Sequence, residues 1–169
     1  RDARERIAGV ARETPVYSSE TFSRIAGREV WLKAENLQRT GAFKVRGAVN
    51  RLAFLSEAER EAGVVAASAG NHGQAVAWAA RQAGVHARIF VPQDAPMAKI
   101  EACRTYGSEL ILTGERFEDA IDLVEFLFQG LHLRMRIAAG SGGAGQFLAG
   151  LQFPPKQVHQ HGVIMENHG

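Results

Sequence analysis

Lys44 stands inside the run Leu32-Lys33-Ala34-Glu35-Asn36-Leu37-Gln38-Arg39-Thr40-Gly41-Ala42-Phe43-Lys44-Val45-Arg46-Gly47-Ala48, behind a glycine and beside an aromatic ring. A lysine amine attacks a carbonyl carbon only when it is neutral. Burial in an apolar pocket and a helix N-terminus both disfavour the ammonium form, and the run places Lys44 for both, just inside a helix that begins near Phe43. Phe43 can pack beside a flat ligand, and Gly41 lets the backbone turn tightly. A lone lysine at a helix start would be read as solvated. The whole run from Lys33 to Ala48 argues for a site instead.

A second run, Ser68-Ala69-Gly70-Asn71-His72-Gly73-Gln74, follows the apolar stretch Val64 to Ala67 and opens another helix. Strand, glycine turn and helix N-terminus together make a ready anion site, because the first N–H groups of a helix lack internal partners. Taken alone, these residues also fit an Asn/Ser helix cap with an exposed histidine. By residue type His72 could move a proton.

The elements that must position these runs alternate along the chain. Residues 3 to 12 read as a short amphipathic helix ended by Thr14-Pro15. Strands are expected at Val30–Ala34, Val64–Ala67, Ala87–Val91 and Leu110–Thr113. Helices are expected at Phe43–Leu55, Asn71–Ala83, Pro96–Tyr106 and Phe117–Phe128. Strands separated by helices imply right-handed crossovers. The fold class is therefore α/β, an open parallel four-stranded sheet with helices on both faces. Lys44 and Asn71 are expected to converge at the carboxyl ends of its strands.

The organisation divides into an N-terminal helix and arm over 1–29, a lysine-bearing α/β unit over 30–128, and a divergent, poorly ordered tail over 129–169. In that tail Glu166 is the only acid, four of the six histidines gather, and Gly140 to Gly145 is glycine-rich. Those histidines lack the spacing of a metal site. With 46% apolar residues, 22% charged residues and a net charge of +2, the composition is that of a globular domain and gives no footing for nucleic acid. No apolar run is long enough to span a membrane. The single cysteine, Cys103, falls in a helical apolar pattern and is read as a buried structural thiol, in keeping with a cytoplasmic location.

The two runs together resemble the threonine/serine dehydratase branch (threonine ammonia-lyases) of the pyridoxal-phosphate enzymes with the tryptophan-synthase-β fold. The resemblance covers residues 3 to 125, about the first half of a family member. It implies that Lys44 carries pyridoxal 5'-phosphate as a Schiff base and removes the substrate's α-proton. It also implies that Phe43 and Asn71 contact the cofactor. Ser68, Ala69, Gly70, Asn71 and His72 would hold the substrate carboxylate, His72 as a positioning residue. Related cysteine and threonine synthases tend to follow the lysine with an acid and an arginine. Lys44-Val45-Arg46-Gly47-Ala48 instead looks like the dehydratases and serine racemases.

Racemases usually carry a second serine where this chain has Ala69, which tilts the reading towards elimination. The implied substrates are L-threonine and L-serine, giving a 2-oxo acid and ammonia, as in isoleucine biosynthesis. Room is left for a homo-oligomer. The family's phosphate-binding glycine loop is not identifiable in the sequence. The change of character near residue 128 is read as a truncation, a frameshift or a splice product, with little dehydratase activity expected of the chain alone. Two further readings stay open: a serine racemase-like enzyme, and a non-catalytic α/β remnant that binds cofactor weakly or needs a partner chain.

Overall fold

The computed structural model describes residues 2–68, 70–130 and 147–150. Its centre is strand β3 (Val64–Ala67), in which all four residues are buried. The continuous apolar run has its physical reason here, because a strand covered on both faces cannot alternate with polar residues. Strand β4 (Ala87–Val91) pairs parallel to β3, and β5 (Glu109–Leu112) parallel to β4. Strand β6 (Phe147–Gly150) lies antiparallel on the other side of β3, giving the order β5-β4-β3-β6.

The α/β class holds, with helices on both faces. One face packs α3 (Lys44–Leu52), α5 (Asn71–Ala83) and α6 (Met97–Thr105) against Val64, Ala66, Ile89 and Val91. The opposite face receives Ala120 and Val124 of α7 (Phe117–Gly130) against Val65, Ala67 and Phe90. Val64 and Ala66 point one way and Val65 and Ala67 the other, the period of two that a strand imposes.

The make-up of the sheet differs from the expectation in one strand. Trp31–Lys33, strand β2, is extended but does not join the parallel sheet. It pairs antiparallel with β1 (Val16–Ser18), with Tyr17 opposite Leu32, in a separate two-stranded ribbon. The parallel part therefore has three strands, and β6 takes the fourth place in the opposite direction. Helix α2 (Glu20–Ala26) bridges β1 and β2, capped by the Ser19 side chain and closed by Gly27 at φ 66°.

Two further α-helices lie among the described residues. The N-terminal helix α1 (Asp2–Ile7) is shorter than its sequence period suggests. Helix α4 (Glu57–Ala62) starts at a capping box, in which the Ser56 side chain accepts from the Glu59 amide and Glu59 reaches back to the Ser56 amide. Apart from Phe147–Gly150, the tail from residue 131 lies outside the described residues.

Candidate active site

The loop between β2 and α3 delivers Lys44. Thr40 has φ 62° and Gly41 φ 70°, so the chain passes twice through the left-handed region before Ala42 returns it to extended geometry. Glycine adopts that conformation freely, whereas a β-branched residue does so under strain. The Thr40 hydroxyl oxygen is buried and has no hydrogen-bond partner among the described residues. Phe43 then caps α3, and Lys44 is the helix's first residue. Lys44 is half-buried, and its Nζ lies 5.2 Å from the centroid of the exposed Phe43 ring. Phe43 thus lies beside the amine, although the lysine is less enclosed than a deep apolar pocket would make it.

Two residues on, Arg46 fastens this helix to Glu35 and to the backbone of Arg12. Its Nε donates to Glu35 Oε2 at 2.9 Å and its Nη2 to Glu35 Oε1 at 2.8 Å. The same Nη2 reaches the Arg12 carbonyl at 3.0 Å, and Thr14 Oγ1 donates to Glu35 Oε1 at 2.6 Å. The Arg46 hydrogen bond holds the Glu35 carboxyl at about 2, against an ordinary 4.5. Buried Gln38 stitches the same region. Its Oε1 accepts from the amides of Arg12 and Arg39 at 2.8 and 2.9 Å, and its Nε2 donates to the Arg12 carbonyl at 2.8 Å. Glu35, Gln38 and Arg46 all lie inside the lysine run, yet their partnership was invisible there, because a loop has no period from which pairs can be read.

The second run forms the turn from β3 into α5. Ser68 is buried, and its Oγ accepts from the amides of Gly70 at 3.2 Å and Gly73 at 2.9 Å. Its oxygen is thus engaged with the turn itself. Ala69 lies outside the described residues. Gly70 caps α5, and among the described residues a Cβ built there would meet nothing within 4 Å. At Gly73 the opposite holds: a Cβ would come within 3.1 Å of Ile89 Cγ2 and 3.2 Å of Ser68 Cβ. Close approach of α5 to β4 therefore favours glycine, since with a Cβ there Ile89 or Ser68 would have to give by a few tenths of an ångström.

Asn71 is exposed at the first position of α5, and His72 is half-buried behind it. One neighbour of Asn71 was not anticipated from the sequence: Lys99, from the first turn of α6, donates from Nζ to Asn71 Oδ1 at 2.8 Å.

Lys44 and Asn71 therefore each open a helix, and α3 and α5 share one apolar core through Val45, Ala48, Ala75, Val76 and Ala79. Cys103 sits in that core with its thiol pushed up to about 11 by burial, the inert state expected of it. Among the described residues no group of His, Cys, Asp and Glu could hold a metal, and no helix is long and apolar enough to cross a membrane.

A family model described as "Pyridoxal-phosphate dependent enzyme" matches residues 7–149, most of the chain. The chain belongs to that family. Among curated relatives it is 47% identical over 122 residues to an L-threonine ammonia-lyase of Thermotoga maritima, covering 72% of this chain and 30% of that protein. It is also 47% identical over 117 residues to a serine racemase of Schizosaccharomyces pombe, covering 69% of this chain and 36% of the relative. The processed form of threonine deaminase isoform 2 from Solanum lycopersicum superposes with a TM-score of 0.68 at 37% identity, over 76% of this chain and 35% of that one. This member of the family thus spans about a third of the length of these relatives, and both lyases and racemases stand close to it.

Proposed function

We propose that this chain supplies the lysine-bearing part of a pyridoxal-phosphate ammonia-lyase for small β-hydroxy amino acids, L-threonine and L-serine foremost. The observation that carries the reading is the setting of Lys44. It opens α3 directly after the left-handed Thr40-Gly41 turn, with Phe43 beside its amine and Arg46 locked on Glu35 behind it. The residues present fit the cofactor's chemistry: an amine for its aldehyde carbon, an amide for its ring oxygen, and a helix N-terminus at Gly70, where a Cβ would meet nothing within 4 Å among the described residues.

When bound, the cofactor's conjugated ring supplies the electron sink for carbanion chemistry. The chain's own groups do the rest. Lys44, as a neutral amine, would accept the substrate's α-proton at Nζ. Asn71 orients the ring through its side-chain amide. Gly70 and the opening N–H groups of α5 receive the substrate carboxylate, with Ser68 shaping the turn from beneath. His72 contributes position.

Ala69 has no hydroxyl with which to return a proton to the opposite face, which favours loss of the β-hydroxyl and release of a 2-oxo acid with ammonia. A single buried thiol suits such an enzyme in a reducing cytoplasm.

The test is to incubate the purified chain with pyridoxal 5'-phosphate, reduce with borohydride and map the peptides. The adduct is expected on Lys44, with Lys33, Lys99 and Lys156 unlabelled, and Lys44→Ala should remove both the adduct and the visible absorbance. Even labelling of all four lysines would refute the assignment. Parallel assays of 2-oxobutanoate from L-threonine and of D-serine from L-serine decide between elimination and racemisation.

A further inference from the structure

Lys99 has an unusual setting. It lies in the first turn of α6 and reaches the first residue of α5, so its ammonium sits near two helix N-termini. Both helix dipoles disfavour a cation there. Among the described residues no carboxylate pairs with it, and its hydrogen-bond partner is Asn71 Oδ1 at 2.8 Å.

That contact settles which way the Asn71 amide faces. A lysine ammonium can only donate, so the atom it meets must be the amide oxygen. An isolated Asn side chain could present either end, and the two are hard to tell apart without such a partner. With Oδ1 held by Lys99, the end left to meet a ligand is Nδ2, which carries two donors and no acceptor. The adjoining positive charge polarises the amide and strengthens those donors.

We propose that Lys99 is the positioning residue for Asn71: it fixes the amide as a pure donor and so selects an anionic oxygen, the ionised ring hydroxyl of the cofactor, opposite it. The inference rests on the assignment of Lys44 and Asn71 to the cofactor site and adds a residue that acts through Asn71 without touching the cofactor.

The test is a spectrophotometric titration of pyridoxal 5'-phosphate onto the full chain, which reads binding and needs no turnover. Lys99→Gln keeps a good helix former but loses the charge. It should weaken cofactor binding about tenfold, the order expected for a charge-assisted hydrogen bond, and reduce the visible band at saturation. Lys99→Arg should recover most of both. Asn71→Ala should weaken binding similarly, and adding Lys99→Gln to it should cost nothing more, because one residue acts through the other.

Urea midpoints of each variant separate loss of fold from loss of orientation. Additive effects in the double variant, or Lys99→Arg as weak as Lys99→Gln, would overturn the proposal. So would a Lys99→Gln chain that labels at Lys44 and binds as tightly as the original, in which case the Lys44 assignment survives. An original chain that gives no Lys44 adduct removes the cofactor site and this inference together.

Discussion

Glu35 and Arg46, eleven residues apart, meet in a two-pronged ion pair that closes the loop ending in Lys44. A planar guanidinium against a carboxylate fixes direction as well as distance. The helix that presents the lysine amine is therefore anchored within its first turn rather than left to fray.

This pair should be visible as a pH-dependent term in stability. Glu35 is held at about 2 in the folded chain, below its ordinary 4.5. A depressed folded-state value means that the contribution is fully present above about pH 4.5 and is lost as the pH falls towards about 2. Glu35→Gln should lower stability at pH 7 by about 1–2 kcal/mol, the solvent-facing edge of the pair keeping the figure modest. The gap between the two chains should then close over that acidic window. Urea titrations at a series of pH values check this, and a gap that stays constant down to pH 2 would contradict it.

Thr40 is strained in a way that substitution can relieve. A β-branched residue at φ 62° pays about 1–2 kcal/mol that glycine does not, while glycine loses about 0.5–1 kcal/mol through backbone entropy. Thr40→Gly should leave the chain equally stable or up to about 1 kcal/mol more stable. Thr40→Val keeps the branching but removes a buried oxygen without a hydrogen bond, and should not destabilise. Thermal unfolding of the two variants decides; a large loss in both would mean that the Thr40 side chain holds the loop by packing.

Gly73 marks the tightest contact between α5 and the sheet. An added methyl would press on Ile89 Cγ2 and Ser68 Cβ at 3.1 and 3.2 Å. Gly73→Ala should therefore cost about 1–3 kcal/mol by overpacking, despite alanine's better helix propensity. Gly70→Ala, whose methyl would meet open space, is the control and should cost less. Equal urea midpoints for the two would show that α5 can shift away from β4 without penalty.

What was legible in the sequence follows from what each element buries. Strands β3 and β4 were readable from end to end because their apolar runs are enclosed on both faces. The β2 segment was readable as a strand but not as a member of the ribbon, since a short apolar run does not name its partner. Helices α2 and α4 bury no residue, so they leave no hydrophobic period, and their caps at Ser19 and Ser56 were the only signal. Around the candidate site, the helix starts at Lys44 and Asn71 were legible because glycines stand close before them. Lys99 was not, because its link to Asn71 crosses from one helix to the next, 28 residues along the chain.

Ser68 separates a contact made by the turn from one made by a ligand. The resemblance groups it with the carboxylate-binding residues, while in the fold its buried oxygen accepts from the Gly70 and Gly73 amides. Removing that oxygen leaves two N–H groups short of a partner, one of them buried, at a cost of about 1–3 kcal/mol. Ser68→Ala should therefore lose stability before any ligand is added, and cofactor or substrate binding should weaken because the start of α5 loosens. Ser68→Thr keeps the oxygen and should retain most of the stability if its extra methyl finds room. A Ser68→Ala chain with an unchanged urea midpoint would show that the turn does not depend on this oxygen, leaving direct contact with the substrate as its role.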